Sequence, residues 1–499
     1  MRIVMASAEV APFARAGGLS DVVGALSQAM AEMGHEVTVF LPKYALIDDE
    51  EYGIEPVEST GPVAVPMGTG EEEVRLYESR MPDGGAVRVV FINHRGYFDR
   101  LGLYIDPDTG HGYPDEVERY ALFSRAVLES SRALDLRPDV FHLNDHHTAL
   151  AAVYLREFYS GDPGIGGAGI VFSIHNLGYL GWFEKSVLPA LGFSEDRCVF
   201  GSPFEYKGGV STLKLGIEHA DYVNTVSEQY AIEISTSPEY GLGLEGVLAE
   251  RRKAGRLLGI LNGVDYRAWD PGVDDLIPAK YSEEDLSGKE ECKRALLERS
   301  GLPMDTAPPL IGMVSRLADQ KGFDLLREAG DRVVELGARL VVLGTGQKEY
   351  HDFLEGLSNK RPESVAAHLT FDNELAHWIE AGSDMFLMPS RYEPCGLNQL
   401  YSLRYGTVPV VRATGGLADT VEDYDEERET GVGFVFEEYS EGAMLGAIER
   451  ALRAYGRSEA WRGIVRRGMA LDFSWAVSAG KYATLYEKAR LAAGSRAAA

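Results

Sequence analysis

Met388-Pro-Ser-Arg-Tyr-Glu-Pro-Cys-Gly-Leu-Asn398 is followed, after one short helical run, by Thr407-Val-Pro-Val-Val-Arg-Ala-Thr-Gly-Gly-Leu-Ala-Asp419. The apolar residues 384–388 predict a strand, Pro and Gly then turn the backbone, and a helical run covers 398–405. Backbone NH groups at such a helix start point outward and, with the helix dipole, suit phosphate or sugar oxygens. Glu393 is the single carboxylate of that loop, with Arg391 two residues before it, and Gly415-Gly416 repeats the device after the next expected strand, 408–411. The arrangement reads as the donor half of a nucleotide-sugar site on a parallel-sheet domain.

Working outward, Val314-Ser-Arg-Leu-Ala-Asp-Gln-Lys-Gly322 places Arg316 at the end of an expected strand and Lys321 at the start of a helix. Each suits a surface ion pair, but together they form a cation pair over one sheet edge. A leaving diphosphate needs its developing charge neutralised, and without a metal two fixed cations do this. Further strands are expected at 309–314, 339–343 and 369–371. Residues 2–7, a glycine loop, a helix ending at Gly34 and a strand at 37–41 make one right-handed parallel unit near the N-terminus. Residues 52–93 read as strands that are partly antiparallel, 95–114 as loop, and 115–134 as helix. Strands 139–143 and 169–174 open into Asn144-Asp-His-His147 and His175-Asn176, at the edge where open parallel sheets bind ligands. Gly17-Gly-Leu-Ser-Asp21 and Gly415-Gly-Leu-Ala-Asp419 are near copies. A domain hinge is expected close to Gly259, a last helix at 475–492, and a frayed tail from Gly494.

A chain of 499 residues exceeds one core, so two large domains are expected. The net charge of −28 disfavours nucleic acid and anionic membranes. Cys198, Cys292 and Cys395 are odd in number and widely spaced, so no disulfide framework or zinc set is expected, which suits a reducing cytosol. The N-terminal run is interrupted by Glu9 and reads as a strand rather than a signal peptide, and no apolar stretch approaches the ~18 residues of a membrane span. Gly241-Leu-Gly-Leu-Glu-Gly246 matches the dinucleotide spacing, but turn residues 236–240 precede it where a strand is needed, so it reads as a surface loop. There is no P-loop, and Asp106-Pro-Asp108 is weak evidence for a metal; neither a cofactor nor a metal is expected.

These stretches also carry a resemblance. Gly17-Gly-Leu19, 142–145, 173–177, 205–209, Leu261-Asn-Gly-Val-Asp265, 314–322, 389–403 and 414–421 resemble, in order, the bacterial glycogen synthases and plant starch synthases, retaining glucosyltransferases of family 5. The resemblance implies the GT-B fold, an α/β architecture of two Rossmann-like domains facing a central cleft: residues 1–258 on the acceptor side, 259–474 on the nucleotide-sugar side, and 475–499 crossing back onto the first. It implies transfer of glucose from ADP-glucose to the nonreducing 4-hydroxyl of an α-1,4-glucan. Carried over by position, Arg316 and Lys321 hold the diphosphate and Glu393 binds sugar hydroxyls. The amides of Cys395, Gly396 and Leu397 bind glucose, with Thr414, Gly415 and Gly416 beside them. Asp145 and His175 join the catalytic set, Asn262 lines the sugar pocket, Phe371 stacks on adenine, and Arg15, Gly17, Gly18 and Asp21 form the first glycine loop. Two departures stand out: Arg15-Ala16 replaces the usual Lys-Thr, and His146 replaces the usual Trp after Asp145. Retention without a carboxylate nucleophile points to front-face substitution, with the leaving phosphate oxygen helping to deprotonate the acceptor. The alternatives are a same-fold enzyme using UDP-glucose or maltose 1-phosphate, and a non-catalytic glucan-binding protein.

Overall fold

Short runs dense in Val, Ile and Leu form the parallel strands of two separate sheets, buried on both faces as such continuous apolar runs require. The computed structural model describes residues 1–82 and 85–497. The chain forms two compact units: Met1–Val226 with Ala231–Gly263 and the segment from Trp475, and Ser227–Tyr230 with Val264–Ser474. The break falls between Gly263 and Val264, not at Gly259, because Leu257–Gly259 pairs with Tyr222–Thr225 as part of the first sheet.

The first unit carries β1 (Arg2–Ala6), β2 (Glu36–Pro42), β3 (Glu55–Pro56), β4 (Val63–Met67), β5 (Gly70–Arg80), β6 (Arg88–Asn93), β7 (Val140–Asn144), β8 (Gly169–Ile174), β9 (Trp182–Phe183), β10 (Val210–Ser211), β11 (Tyr222–Thr225) and β12 (Leu257–Gly259). Its large sheet runs β12-β11-β8-β7-β1-β2-β6-β5-β3, with β4 on β5. The pairings of β5 with β3, β4 and β6 are antiparallel, and the rest of the sheet is parallel. The expected loop 95–114 holds one short helix, Arg95–Phe98. Gly241 and Gly246 lie on two successive helices, Pro238–Gly241 and Glu245–Lys253, with a helix and not a strand before them.

The last helix is Trp475–Ala497 and continues through the residues expected to fray. Ala479, Tyr482, Tyr486, Ala489 and Ala493 recur at three- and four-residue spacing and are buried, and Arg496 pairs with Asp221. The expected tail residues Ala498 and Ala499 lie outside the described residues. A buried polar chain fastens this helix to the sheet. The Tyr486 hydroxyl is 2.8 Å from His142 Nδ1, His142 Nε2 is 2.6 Å from Ser173 Oγ, Ser173 Oγ donates to Asn224 Oδ1 at 2.7 Å, and Asn224 Nδ2 donates to the Tyr482 hydroxyl at 3.1 Å. Because Ser173 donates onward, it accepts from His142 Nε2–H, which leaves Nδ1 to accept from Tyr486.

Burial, with nearby His175 adding to it, pushes the His142 imidazole down to about 3. In the unfolded chain it titrates near ~6.5. The folded state therefore disfavours the proton, so this contribution is complete above about pH 6.5 and is lost as the pH falls toward 3. The difference amounts to roughly 3–5 kcal/mol across that window. Denaturation curves of His142→Gln against pH should show a flatter acid limb than the parent; parallel curves would contradict the assignment.

The second unit carries β13 (Leu310–Val314), β14 (Arg339–Leu343), β15 (Val365–His368), β16 (Met385–Met388), β17 (Val408–Arg412) and β18 (Phe434–Phe436), all parallel in the order β15-β14-β13-β16-β17-β18. Ile311, Leu340, Val342, Met385, Leu387, Val408 and Val410 face one core, while Leu310, Val341, Leu343, Phe386, Met388 and Val411 face another. This period of two places helices on both faces of the sheet. Among the described residues no helix is long and apolar enough to cross a membrane.

Candidate active site

In the second unit the chain winds outward from β13 through β14 to β15, then returns to the other side of β13 with β16. The loops leaving β13 and β16 diverge there, which is where open parallel sheets form ligand sites. Arg316 and Lys321 lie on the first loop and Glu393 on the second. Lys321 Nζ donates to Glu393 Oε1 at 3.0 Å and Oε2 at 2.7 Å, and the Ser390 hydroxyl adds a bond to Oε2 at 3.0 Å. Arg316 is exposed and bonds Gln320 Oε1 at 3.3 Å, while the Gln320 carbonyl accepts the Arg391 amide at 2.9 Å. Arg391 itself turns away from Glu393 and pairs with Asp324 at 2.9 Å.

The two loops are joined backbone to backbone. Gly322 has φ +77°, and a Cβ there would lie 2.1 Å from the Pro389 carbonyl oxygen. The Gly416 amide donates to the carbonyls of Glu393 at 3.1 Å and Pro394 at 3.2 Å. A Cβ on Gly415 would meet Glu393 O at 2.0 Å, and one on Gly416 would meet Cys395 O at 1.9 Å. The buried Gln399 amide donates to the carbonyls of Cys395 and Gly396 at 3.0 and 3.1 Å. Because a trans peptide opposes its C=O and N–H, fixing these carbonyls turns the Gly396 and Leu397 amides the other way. Among the described residues no protein acceptor takes either amide. Thr414 is buried beside this assembly and Cys395 is buried within it.

Phe371 is 86% exposed. The expected strand 369–371 is displaced: β15 is Val365–His368, paired with β14, and Phe371 sits on the loop beyond it. A core role for this ring is therefore excluded, and a large aromatic face stands open at the strand's C-terminal end.

The first unit has its own divergence, between β1 and β7. Asn144 Nδ2 donates to the Ala6 carbonyl at 3.0 Å, which fixes the amide and turns its Oδ1 toward His175 Nε2, 2.9 Å away. Nε2 then carries the proton and Nδ1 the lone pair. Burial holds the His175 imidazole below its ordinary value, although Asp145 works against this. Asp145 adopts φ 56°, and its Oδ1 accepts the His175 amide at 2.8 Å, so the hydrogen bond joins the loops that leave the neighbouring strands β7 and β8. The Asn262 side chain is buried, and its Oδ1 has no partner among the described residues.

The first glycine loop is held from within the first unit. Glu9 accepts the amides of Ala16 and Gly17, both at 2.7 Å, through one carboxylate oxygen and the Tyr104 hydroxyl at 2.6 Å through the other. Burial pushes the Glu9 carboxyl up despite these bonds. The Gly17 amide is thus occupied by the protein itself. A Cβ on Gly17 would meet nothing within 4 Å, unlike Gly415 and Gly416. The near-identical motifs therefore differ at their first glycine: packing excludes a Cβ at Gly415 and not at Gly17. Gly18 starts the helix Gly18–Glu32, and Arg15 pairs with Asp21 at 3.5 Å. Sequence reasoning missed Glu9, Tyr104 and Gln399; the available signal was a carboxylate inside an otherwise apolar run.

The starch synthase catalytic domain family matches residues 2–250, and the group 1 glycosyl transferase family matches residues 297–466. A glycogen synthase of Koribacter versatilis is 47% identical over 98% of this chain and 98% of its own length. Glycogen synthase 1 of Geobacter metallireducens is 44% identical over 98% and 96%. The catalytic domain of starch synthase IV from Arabidopsis thaliana, solved bound to ADP and acarbose, superposes with a TM-score of 0.88 at 33% identity, covering 98% of this chain and 99% of its own.

Proposed function

This chain belongs to the glycogen and starch synthase family of glucosyl-transferring enzymes, and from that premise we propose that its donor is ADP-glucose, its acceptor the nonreducing 4-hydroxyl of an α-1,4-glucan, and its outcome retention. The observation that carries this reading is the second unit's strand divergence, which brings Lys321 onto Glu393 beside the outward-turned amides of Gly396 and Leu397. In the proposed reaction the bond from glucose C1 to the diphosphate oxygen breaks as the bond to the acceptor oxygen forms on the same face. The acceptor proton passes to the departing phosphate, and ADP leaves. Arg316 and Lys321 stabilise the charge on that diphosphate, Glu393 orients sugar hydroxyls, and the two amides hold the glucose. Asp145 with His175, and the unpartnered oxygen of Asn262, offer polar groups for sugar hydroxyls in the first unit. The ADP bound to the Arabidopsis relative supports an adenine nucleotide. A cytoplasmic location belongs to the same proposal.

NMR of the product formed from a maltooligosaccharide and 1-13C-labelled donor tests the stereochemistry. A new α-1,4 anomeric signal is expected, and a β signal would overturn the mechanism. With two cations serving the diphosphate, turnover should persist in excess chelator; abolition restored by magnesium would contradict their role. Base–aromatic stacking is worth roughly 1–3 kcal/mol, so Phe371→Ala should raise the KM for ADP-glucose about 5- to 100-fold and leave that for glycogen unchanged. An unaltered donor KM would remove Phe371 from the site.

A further inference from the structure

We propose that Glu116, His146 and His147 form a binding site for one borderline divalent cation of the zinc class, separate from the loops assigned to the donor. The atoms these three side chains offer all lie within 4.8 Å of one another. Glu116 is the first residue of the helix Glu116–Ala133, and the two histidines lie in the turn between β7 and the helix Ala149–Phe158. Their rings sit 3.7 Å apart, and Nδ1 of each is buried with no hydrogen-bond partner among the described residues. His146 Nε2 is 3.8 Å from Glu116 Oε1, too far for a hydrogen bond. Buried ring nitrogens without partners are costly unless something else takes their lone pairs.

The surroundings hold this set in place. His147 is 7% exposed, stacked on Tyr104 at 4.9 Å and met edge-on by Tyr120 at 4.6 Å. Tyr104 is in turn tied to Glu9. Two imidazole nitrogens and one carboxylate oxygen suit zinc and its neighbours, whereas magnesium and calcium require mostly oxygen. Arg119, over the Tyr120 ring at 5.0 Å, opposes a cation here, and the Glu116 carboxylate of the set works against it. Three protein ligands leave a fourth position for water. His146 completes the set. An occupant ties the start of one helix to the turn that carries Asp145.

The test uses the full chain stripped by chelator and titrated with zinc chloride by calorimetry, together with thermal melts and the visible spectrum of the cobalt form. One zinc per chain, a raised Tm and a cobalt band of four- or five-coordinate type are expected. His146→Trp and Glu116→Gln should each weaken zinc at least ~10-fold and abolish the cobalt band. Glu116 is partly exposed, so its variant carries the test if His146→Trp fails to fold. No saturable binding, or binding and spectrum unchanged in the folded variants, would overturn the proposal.

Discussion

Lys321→Ala is expected to lower the turnover number at saturating donor by at least ~100-fold, the scale for losing one preorganised charge donor. Lys321 is fixed before it meets a ligand. It precedes Gly322, whose positive φ and close approach to Pro389 lock the turn, and its ammonium spans both oxygens of Glu393. The variant loses the proposed donor to the diphosphate and, among the described residues, leaves the buried Glu393 carboxylate with the Ser390 hydroxyl as its side-chain partner. A second effect follows: the Tm should fall by a few degrees while the chain stays folded, because the lysine side chain is partly open to solvent. Lys321→Arg keeps the charge but spreads it over a planar fork, so it should recover only part of the rate. Unchanged turnover in Lys321→Ala at saturating donor would remove Lys321 from the mechanism.

Gly416→Ala should cost activity on the same scale, through the backbone alone. Its new Cβ would lie 1.9 Å from the Cys395 carbonyl oxygen, so the loop carrying Glu393 and the Gly396 and Leu397 amides must move. A displacement near 1 Å in a positioned site costs on the order of 100-fold in rate, and forcing the extra carbon into packed backbone costs about 1–3 kcal/mol of stability. Gly17→Ala is the internal control. That residue is extended at φ −158°, and a Cβ there meets nothing within 4 Å, so its Tm should not change. Parent-like turnover and Tm in Gly416→Ala would show that the zipped backbone does not hold this loop in place.

The second unit was the more legible half. Arg316, Lys321 and Glu393 sit on loops that leave apolar strands, and the parallel rule brings the ends of neighbouring strands together although Lys321 and Glu393 are 72 residues apart. The Gly415-Gly416 pair was visible too, but its reason was not: it makes room for the carbonyls of Glu393 and Cys395, which lie some twenty residues earlier in the chain. Strand β15 was misplaced because residues 365–371 carry apolar side chains on both sides of His368, and pairing with β14 selects the earlier portion. The Glu9 clamp was illegible because a carboxylate in an apolar run does not say which amides it faces. The terminal helix outlasted its expected end because Ala493 is buried and Arg496 has a partner in Asp221, a long-range pairing that no local pattern encodes.

Whether this chain takes its glucose from ADP-glucose is decided by a donor panel. With glycogen as acceptor, kcat/KM is measured for ADP-glucose, UDP-glucose and maltose 1-phosphate by released nucleotide or phosphate. ADP-glucose should be the best donor, and Phe371→Ala should narrow its lead over UDP-glucose. A higher kcat/KM for UDP-glucose or maltose 1-phosphate, or no release from ADP-glucose in the presence of glycogen, would contradict it.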